Sequence, residues 1–407
     1  MKKTGLTCLL IGLLFLSVCD EKETPEEIKT YEPIMLTSAQ MQKVESDNKF
    51  SFQMFKEVSK IGEENIFFSP LSSNIALGML YNGTDGDTRT ELADVMGLGD
   101  LSELEINEYY QKMIQALLSI DPATDISIAN SIWYREGFPI KQPFIDLNKN
   151  YFDAEVAALD FSKSDSRDII NNWCAEKTNN KIKTIIDAPI SAETVMFLIN
   201  ALYFKSQWKF QFDKKETSEV TFYKRNHKQE TVKMMTQQSV TLPYYRDDSL
   251  SCVEIPYGNE AFSMVAFLPS SDKSIDELIA YLDEKTWSNI STNMYETEIT
   301  LGLPRFKVEC DMDLNSPLQS AGINKIFVGE LGNISDVELV VSKVKQKTFI
   351  EVNEKGTEAA AVTSIQVEMT SVSDSYSFYA NRPFLYMIKE KSTGAILFIG
   401  RMANPQE

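Results

Sequence analysis

The stretch that decides the fold lies near the end of the 407-residue chain, where residues 354–383 read EKGTEAAAVTSIQVEMTSVSDSYSFYANRP. It separates two strand-like runs and is too long for an ordinary connection. Alternate residues from Thr357 to Met369 are small or apolar, which is the period of two of a β-strand. Mostly small side chains follow Gly356, so the N-terminal half of the segment could slide between neighbouring strands. The pattern is typical either of an edge hairpin or of a strand that can join another sheet.

The composition indicates a soluble, well-cored and strongly acidic protein. There are 40 Lys and Arg against 59 Asp and Glu, and the formal charge is −19. Such a surface repels phosphate backbones, so we expect no nucleic-acid partner. The one histidine, His227, lies in a polar run that we interpret as an exposed loop, and one histidine excludes a multi-histidine metal site. No glycine-rich phosphate loop appears. We therefore predict no metal and no cofactor.

The cysteines are widely spaced and form no CxxC pair, which argues against a zinc site or a disulfide framework. The last three are interpreted as small core residues. The five cysteines are Cys8, Cys19, Cys174, Cys252 and Cys310.

The first residues are typical of an export signal. An apolar run from Leu6 to Val18 follows two lysines and is too short for a membrane span, so residues 1–18 are predicted to be a signal peptide. The stretch ending at Cys19 resembles a bacterial lipobox, although Val18 stands where a small residue is usual. Residues 19–45 are predicted to be an acidic tether and resemble the surface-export signal of some Bacteroidetes lipoproteins. The alternatives are secretion after ordinary cleavage and an outer-membrane lipoprotein anchored at Cys19.

Residues 46–407 are predicted to form one domain of the α+β class, because no repeat or Gly/Ser linker interrupts them. Apolar spacing predicts helices over 46–61, 74–81, 105–119, 166–178 and 275–282. Strand patterns cover 126–134, 195–204, 217–222, 251–255, 262–268, 298–308, 340–352, 384–389 and 395–401.

The start of the opening segment, EKGTEAAA at 354–361, resembles the proximal hinge of inhibitory serpins nearly residue for residue. Further motifs follow in family order across residues 46–405. They are NIFFSPLS at 65–72, NALYFK at 200–205 with Trp208, LPRF at 303–306, RPFL at 382–385, LFIGR at 397–401 and NP at 404–405. The resemblance implies the serpin fold, with three β-sheets, eight or nine helices and an exposed reactive-centre loop at about residues 354–382.

The resemblance also implies a mechanism. In inhibitory serpins a protease attacks the loop, an acyl-enzyme forms, and the cut loop inserts as a new central strand before deacylation. A glycine at the turning point and small residues after it offer little resistance to entry. The hinge residues are Glu354, Gly356, Thr357, Glu358, Ala359, Ala360 and Ala361.

Ser69, Ser72 and Asn200 match the family's shutter, a polar network beneath the point where the sheet opens. Alignment of residues 341–343 places Gln346 where the family usually has a histidine. Because glutamine does not titrate, the pH sensitivity of that histidine is not implied here.

Trp208, Arg305 and Glu354 match the family's breach, where insertion begins. The resemblance implies an ion pair between Glu354 and Arg305, which would be charge-assisted.

Family spacing from Glu354 places the scissile bond between Thr370 and Ser371. Counting back from Pro383 instead gives Val372 as the residue before the bond, because this loop is longer than the commonest length in the family. The alternatives are Met369, Val372 and Ser373.

The loop sequence also bears on the target. No Lys or Arg lies between Lys355 and Arg382, so nothing central in the loop suits the acidic pocket of a trypsin-like protease. We predict elastase-, chymotrypsin- or subtilisin-like serine proteases as partners, with papain-like cysteine proteases as a further option.

Two other functions compete with a secreted or lipid-anchored inhibitor, which would be a monomer and no enzyme. One is a non-inhibitory serpin-fold binding protein at the cell surface, although only Val362 departs from the small-residue run of the hinge. The other is a surface hydrolase with paired carboxylates, for which no spacing gives support.

Overall fold

The computed structural model describes residues 31–61, 64–187, 189–225, 228–357 and 376–405. Nine α-helices lie within these ranges, in agreement with the expected eight or nine. They are α1 (Ser38–Val58), α2 (Pro70–Tyr81), α3 (Gly86–Val95), α4 (Glu103–Ser119), α5 (Gln142–Phe152), α6 (Asp165–Lys177), α7 (Ile275–Tyr281), α8 (Glu284–Thr292) and α9 (Asn315–Ser320).

The strands of the same ranges form two sheets. They are β1 (Ile66–Phe68), β2 (Asp125–Arg135), β3 (Glu155–Leu159), β4 (Met196–Gln207), β5 (Ser218–Tyr223), β6 (Gln229–Arg246), β7 (Leu250–Pro256), β8 (Phe262–Pro269), β9 (Tyr295–Pro304), β10 (Phe306–Asp313), β11 (Lys345–Asn353), β12 (Gly356–Thr357), β13 (Tyr376–Tyr379), β14 (Phe384–Glu390) and β15 (Ile396–Met402).

The central sheet has six strands in the order β10, β11, β12, β4, β2, β3. Buried and exposed side chains alternate along β10, as the period of a strand that is covered on one face requires. β4 pairs antiparallel with β2, and β11 pairs antiparallel with β10. Among the described strands, β4 and β11 are joined to each other only through the short β12. The sheet therefore consists of two halves that meet at one end.

The second sheet has nine strands and two regions. In one region β6 pairs with β5 and with β9, and β9 pairs with β13. The other region contains five strands in the order β7, β8, β14, β15, β1. The long β6 connects the regions, because only its last residues, Tyr244–Arg246, pair with β7. The central sheet and these two regions correspond to the three predicted sheets.

Helix α2 is buried along almost its whole length and shows how the sequence specifies a local structure. Its N-cap is Ser69, whose side chain accepts a hydrogen bond from the Ser72 amide, and Pro70 occupies the first turn. Because α2 packs on β4 and on β15, it lies between the two sheets. A smaller core cluster forms where α6 packs on the central sheet, through Trp173, Ile170 and Trp133.

The structure corrects two predicted strands and adds a long strand that the sequence pattern did not predict. The run predicted as one strand over 298–308 is divided into β9 and β10 at Arg305, since β9 belongs to the second sheet and β10 to the central sheet. The strand predicted over 340–352 begins only at Lys345. Strand β6 was not predicted, because polar residues interrupt its pattern and Ser239 has a positive φ where the register shifts.

The predicted domain boundary at residue 46 falls inside α1, which begins at Ser38. Upstream of that helix, Tyr31, Ile34 and Leu36 pack against the core. The part of the predicted tether from residue 31 onward is therefore folded onto the protein rather than extended from it.

Cys174, Cys252 and Cys310 are buried and form no disulfide bond among the described residues, which confirms their interpretation as core residues. Burial raises the pKa of the Cys174 thiol to about 12. The predicted signal peptide over residues 1–18, Cys8, Cys19 and His227 lie outside the described residues.

Candidate functional site

The end of β11 leads directly into β12, where the chain enters the central sheet. Gly356 pairs with Asn353 on one side and with Gln207 on the other. Its φ is +151°, and a Cβ at this position would lie 2.1 Å from the carbonyl oxygen of Ser206. No other residue fits this contact without displacing the backbone of β4.

Thr357 is already inside the sheet. It pairs with Val352 of β11 and Ser206 of β4, and only 2% of its surface is exposed. Its hydroxyl lies 2.6 Å from the Tyr257 hydroxyl. Residues Gly356 and Thr357 therefore occupy the start of a position between β4 and β11 that further residues could extend.

A buried carboxylate precedes this entry point. Arg305 Nε donates to Glu354 Oε1 at 2.7 Å, and Thr217 Oγ1 donates to the same oxygen at 2.6 Å. The ion pair that the sequence predicts is thus present. Burial opposes ionisation of Glu354, but these hydrogen bonds outweigh it and hold the pKa of the carboxyl below its ordinary value.

Trp208, directly after the end of β4, bonds to the backbone on either side of Glu354. Its indole Nε1 donates to the Asn353 carbonyl at 2.9 Å, and its amide donates to the Lys355 carbonyl at 2.9 Å. The indole stacks on Tyr257 with the ring centroids 4.4 Å apart. The structure therefore brings Trp208, Arg305 and Glu354 together around the turn between β11 and β12.

Gln346 connects β11 to the first turn of α2. Its Oε1 accepts from the Ser69 amide at 2.8 Å, while its Nε2 donates to the Ser69 carbonyl at 2.9 Å and to Ser73 Oγ at 3.3 Å. Glutamine supplies a donor and an acceptor at once, so it can bridge both backbone groups of Ser69. Ser69 Oγ also donates to the Leu397 carbonyl of β15 at 2.8 Å.

Asn200 lies on β4, the other side of the sheet opening. The Ser72 hydroxyl reaches its carbonyl at 3.5 Å, a marginal hydrogen bond. The Asn200 side chain donates to Asn130 of β2 at 2.6 Å, and its own side-chain oxygen has no partner among the described residues. The structure thus places the four predicted residues of this polar network near α2, although Asn200 and Gln346 bond to different neighbours.

Several residues of this site were not predicted from the sequence. No motif marks Asn130 or Ser73. Asn130 pairs with the predicted Asn200 only in the folded sheet, and Ser73 directly follows the predicted Ser72. Thr217 and Tyr257 come from distant parts of the chain and carry no local signal.

Other predicted residues lie outside the described part of the chain. They are the hinge residues Glu358, Ala359, Ala360 and Ala361, and the bond candidates Met369, Thr370, Ser371, Val372 and Ser373. Within the described ranges, no group of metal-ligating side chains is found, and no helix has the length and apolar character of a membrane span.

Known proteins match this chain over almost its whole length. A family model described as Serpin (serine protease inhibitor) matches residues 45–405. Human Serpin B4 is 33% identical over 386 residues, and the alignment covers 89% of this chain and 99% of the relative.

Solved structures show the same architecture. The thermophilic serpin tengpin in its native state superposes with a TM-score of 0.83 at 30% identity, over 92% of this chain and 97% of tengpin. Human thyroxine-binding globulin gives a TM-score of 0.83 at 25% identity, over 91% of this chain and 100% of the globulin. These likenesses confirm the predicted fold.

Proposed function

Because the chain belongs to the serpin family, we propose that it inhibits proteases by offering the segment after Thr357 as bait and then inserting that segment between β4 and β11. The protein would be an inhibitor of endopeptidases rather than an enzyme. The protease would be trapped as an acyl-enzyme if insertion is faster than deacylation.

One observation carries this proposal: β12 already holds Gly356 and Thr357, which directly precede this segment, in ladder pairing between β4 and β11. Continued insertion would give the following residues the same pairing and would let their small or apolar set face a core. The direct contact of Gly356 with the backbone of β4 supports its role as the hinge.

The polar groups around α2 would act as the shutter. Separation of β4 from β11 changes the distance between Asn200 and Gln346. Each hydrogen bond of this network must therefore either take a new partner or lie within one half of the sheet. Gln346 stays with α2 through Ser69, whereas the side-chain oxygen of Asn200 is left as an acceptor for an entering strand.

Glu354, Arg305 and Trp208 would act as the breach. They fix the turn from which the loop leaves the sheet, since backbone amides of Trp208 and Phe212 also donate to the carbonyls of Lys355 and Glu354 at 2.9 Å each. A fixed starting point means that insertion lengthens an existing strand and needs no new nucleation.

The targets follow from the loop sequence. We propose cleavage after Thr370, with Met369, Val372 and Ser373 as alternatives, by elastase-, chymotrypsin- or subtilisin-like proteases. Papain-like cysteine proteases, which often accept an apolar residue such as Val367 near the cut, are a further option. Trypsin-like proteases would not be inhibited, because the window contains no basic residue.

We also propose that the protein acts as a monomer outside the cell, either secreted or held on a bacterial outer membrane by lipid on Cys19. Mass spectrometry of the mature N-terminus separates the two cases, since a lipid-modified Cys19 and an unmodified cleaved end differ in mass.

A second candidate function has a specific basis. Human thyroxine-binding globulin has this fold and, as its name states, binds thyroxine. The fold is therefore compatible with a binding protein that does not inhibit proteases.

The test is to mix the purified protein with pancreatic elastase, subtilisin, trypsin or papain and to analyse the products on denaturing gels. A band at the summed mass, with the cut mapped by mass spectrometry to residues 369–373, is expected for elastase or subtilisin. Cleavage in this window with no such band for any protease would refute trapping. If the cut protein then gains heat stability, the loop inserts but deacylation is faster, whereas unchanged heat stability would favour the binding protein.

A further inference from the structure

A row of buried polar side chains lies next to the point where the chain enters the central sheet. It starts at Asp121, which follows α4 and is only 3% exposed. Asp121 Oδ1 accepts from the Ala123 amide at 3.0 Å, and its Oδ2 accepts from the Thr124 hydroxyl at 2.6 Å. Hydrogen bonds to an ionised carboxylate are about twice as strong as bonds between neutral groups. Asp121 therefore fixes Thr124 directly before β2.

The row continues across the sheet into β4. The hydroxyls of Thr124 and Ser206 lie 2.7 Å apart. Because the Thr124 proton is directed to Asp121, Ser206 is the donor in this second bond. Ser206 is 2% exposed and pairs in register with Thr357 of β12. Paired residues of neighbouring strands project to the same face of a sheet, so Ser206 and Thr357 present their side chains to one face.

Tyr257 approaches Thr357 from the second sheet. The two hydroxyls lie 2.6 Å apart, and the Tyr257 side chain is fully buried. Stacking on Trp208 holds the phenol ring in place. Burial raises the pKa of the Tyr257 hydroxyl far above its ordinary value, so the phenol keeps its proton and can donate it to Thr357.

The turn that carries Tyr257 is fastened beside the same carboxylate. A Cβ at Gly258 would lie 2.8 Å from Asp121 Oδ2, so a larger residue there would displace the carboxylate. In the same turn, Asn259 Nδ2 donates to the Ile120 carbonyl at 3.2 Å. Asp121 therefore supports both ends of the row.

We propose that Thr124, Ser206 and Tyr257 form a hydroxyl receptor for Thr357, and that Asp121 is the positioning residue that holds this receptor together. The receptor reads the first side chain that β12 places deep in the sheet. Without a hydroxyl at position 357, Tyr257 would be left with a buried polar group and no partner, which costs more than the bond itself contributes. A small side chain is therefore not sufficient at this position.

The importance of the hydroxyl receptor for inhibition rests on the proposed function, because only an inserting loop must pass through it. Its hold on β12 is a property of the uncut protein. The two can therefore be measured separately.

The test follows hydrogen–deuterium exchange of β12 and of the end of β4 in the uncut protein. Thr357→Val removes the hydroxyl but keeps the branched shape, and it should speed exchange there roughly threefold to tenfold. Thr357→Ser is the matched control, because it keeps the hydroxyl and should leave exchange unchanged. Equal exchange in Thr357→Val and the unaltered protein would overturn the proposal.

A double-mutant cycle separates recognition of the hydroxyl from simple packing. Tyr257→Phe should speed exchange as Thr357→Val does, since each single change leaves one hydroxyl without its partner. The double variant leaves neither hydroxyl unpaired, so its β12 should exchange more slowly than that of either single variant. Additive effects of the two changes would contradict the receptor.

Asp121→Asn tests the positioning role. In this background Thr357→Val should speed exchange by less than about twofold, because the receptor is no longer held together. Asp125→Asn is the matched control, since Asp125 is exposed and accepts from Asn179 Nδ2 at 2.9 Å instead. If Asp121→Asn does not fold, Thr124→Val breaks the same link. A full effect of Thr357→Val in these backgrounds would refute the role of Asp121.

Trapping is read in parallel on denaturing gels with elastase or subtilisin. Thr357→Val should give less denaturant-stable complex than Thr357→Ser, roughly threefold or more. Complex formation with no exchange difference between the two variants refutes only the receptor. An exchange difference in a protein that traps no protease refutes only the proposed function.

Discussion

At the scale of single residues, Thr357 is the position at which a small change should separate cleavage from inhibition. It is buried between β4 and β11, with its hydroxyl 2.6 Å from that of Tyr257. An arginine here must either bury an unpaired charge or remain outside the sheet, and the second choice costs less. We expect Thr357→Arg to be cut by the target protease with at least about a tenfold lower yield of denaturant-stable complex.

Thr357→Ser is the control for this variant, because serine keeps the hydroxyl that faces Tyr257 and remains small. Its complex yield on the same denaturing gels should match that of the unaltered protein. An undiminished yield from Thr357→Arg would show that insertion does not pass through this position.

At the scale of elements, the turn between β11 and β12 depends on the ionised Glu354. Its pKa lies below the ordinary value of 4.5. A carboxyl with a lowered pKa stabilises the fold fully above its unfolded pKa, and this contribution is lost as the pH falls through the folded pKa. Glu354→Gln should therefore lower the free energy of unfolding by about 1.5–3 kcal/mol at neutral pH. The difference from the unaltered protein should shrink below pH 4.5.

Urea unfolding of both proteins across this pH range measures the difference directly. Because many carboxylates titrate in so acidic a chain, the quantity to follow is the gap between the two proteins and not either midpoint alone. Glu216→Gln, which changes an exposed side chain near Thr217, should show no such gap. A gap for Glu354→Gln that stays constant down to low pH would mean that the ionised carboxylate does not stabilise the turn.

Elements with a strong regular pattern could be predicted, and those set by distant contacts could not. The fully buried β14 and β15 follow from their apolar runs. β12 has two residues and exists only because β4 and β11 lie on either side of it. In the site, motifs identified Glu354 and Arg305, but Thr217 reaches the same carboxylate through tertiary structure alone.

At the scale of the whole molecule, Gly356 and Thr357 are the only described residues in the position between β4 and β11, which a longer strand could fill. Filling it after cleavage would add ladder hydrogen bonds worth about 1 kcal/mol each and bury apolar side chains. We expect the protein cut within residues 369–373 to unfold roughly 10 °C or more above the uncut protein in calorimetry. Cut Thr357→Arg should show no such rise. If the cut unaltered protein also melts with the uncut one, the sheet does not accept the loop, and a binding protein with a static sheet becomes the better account.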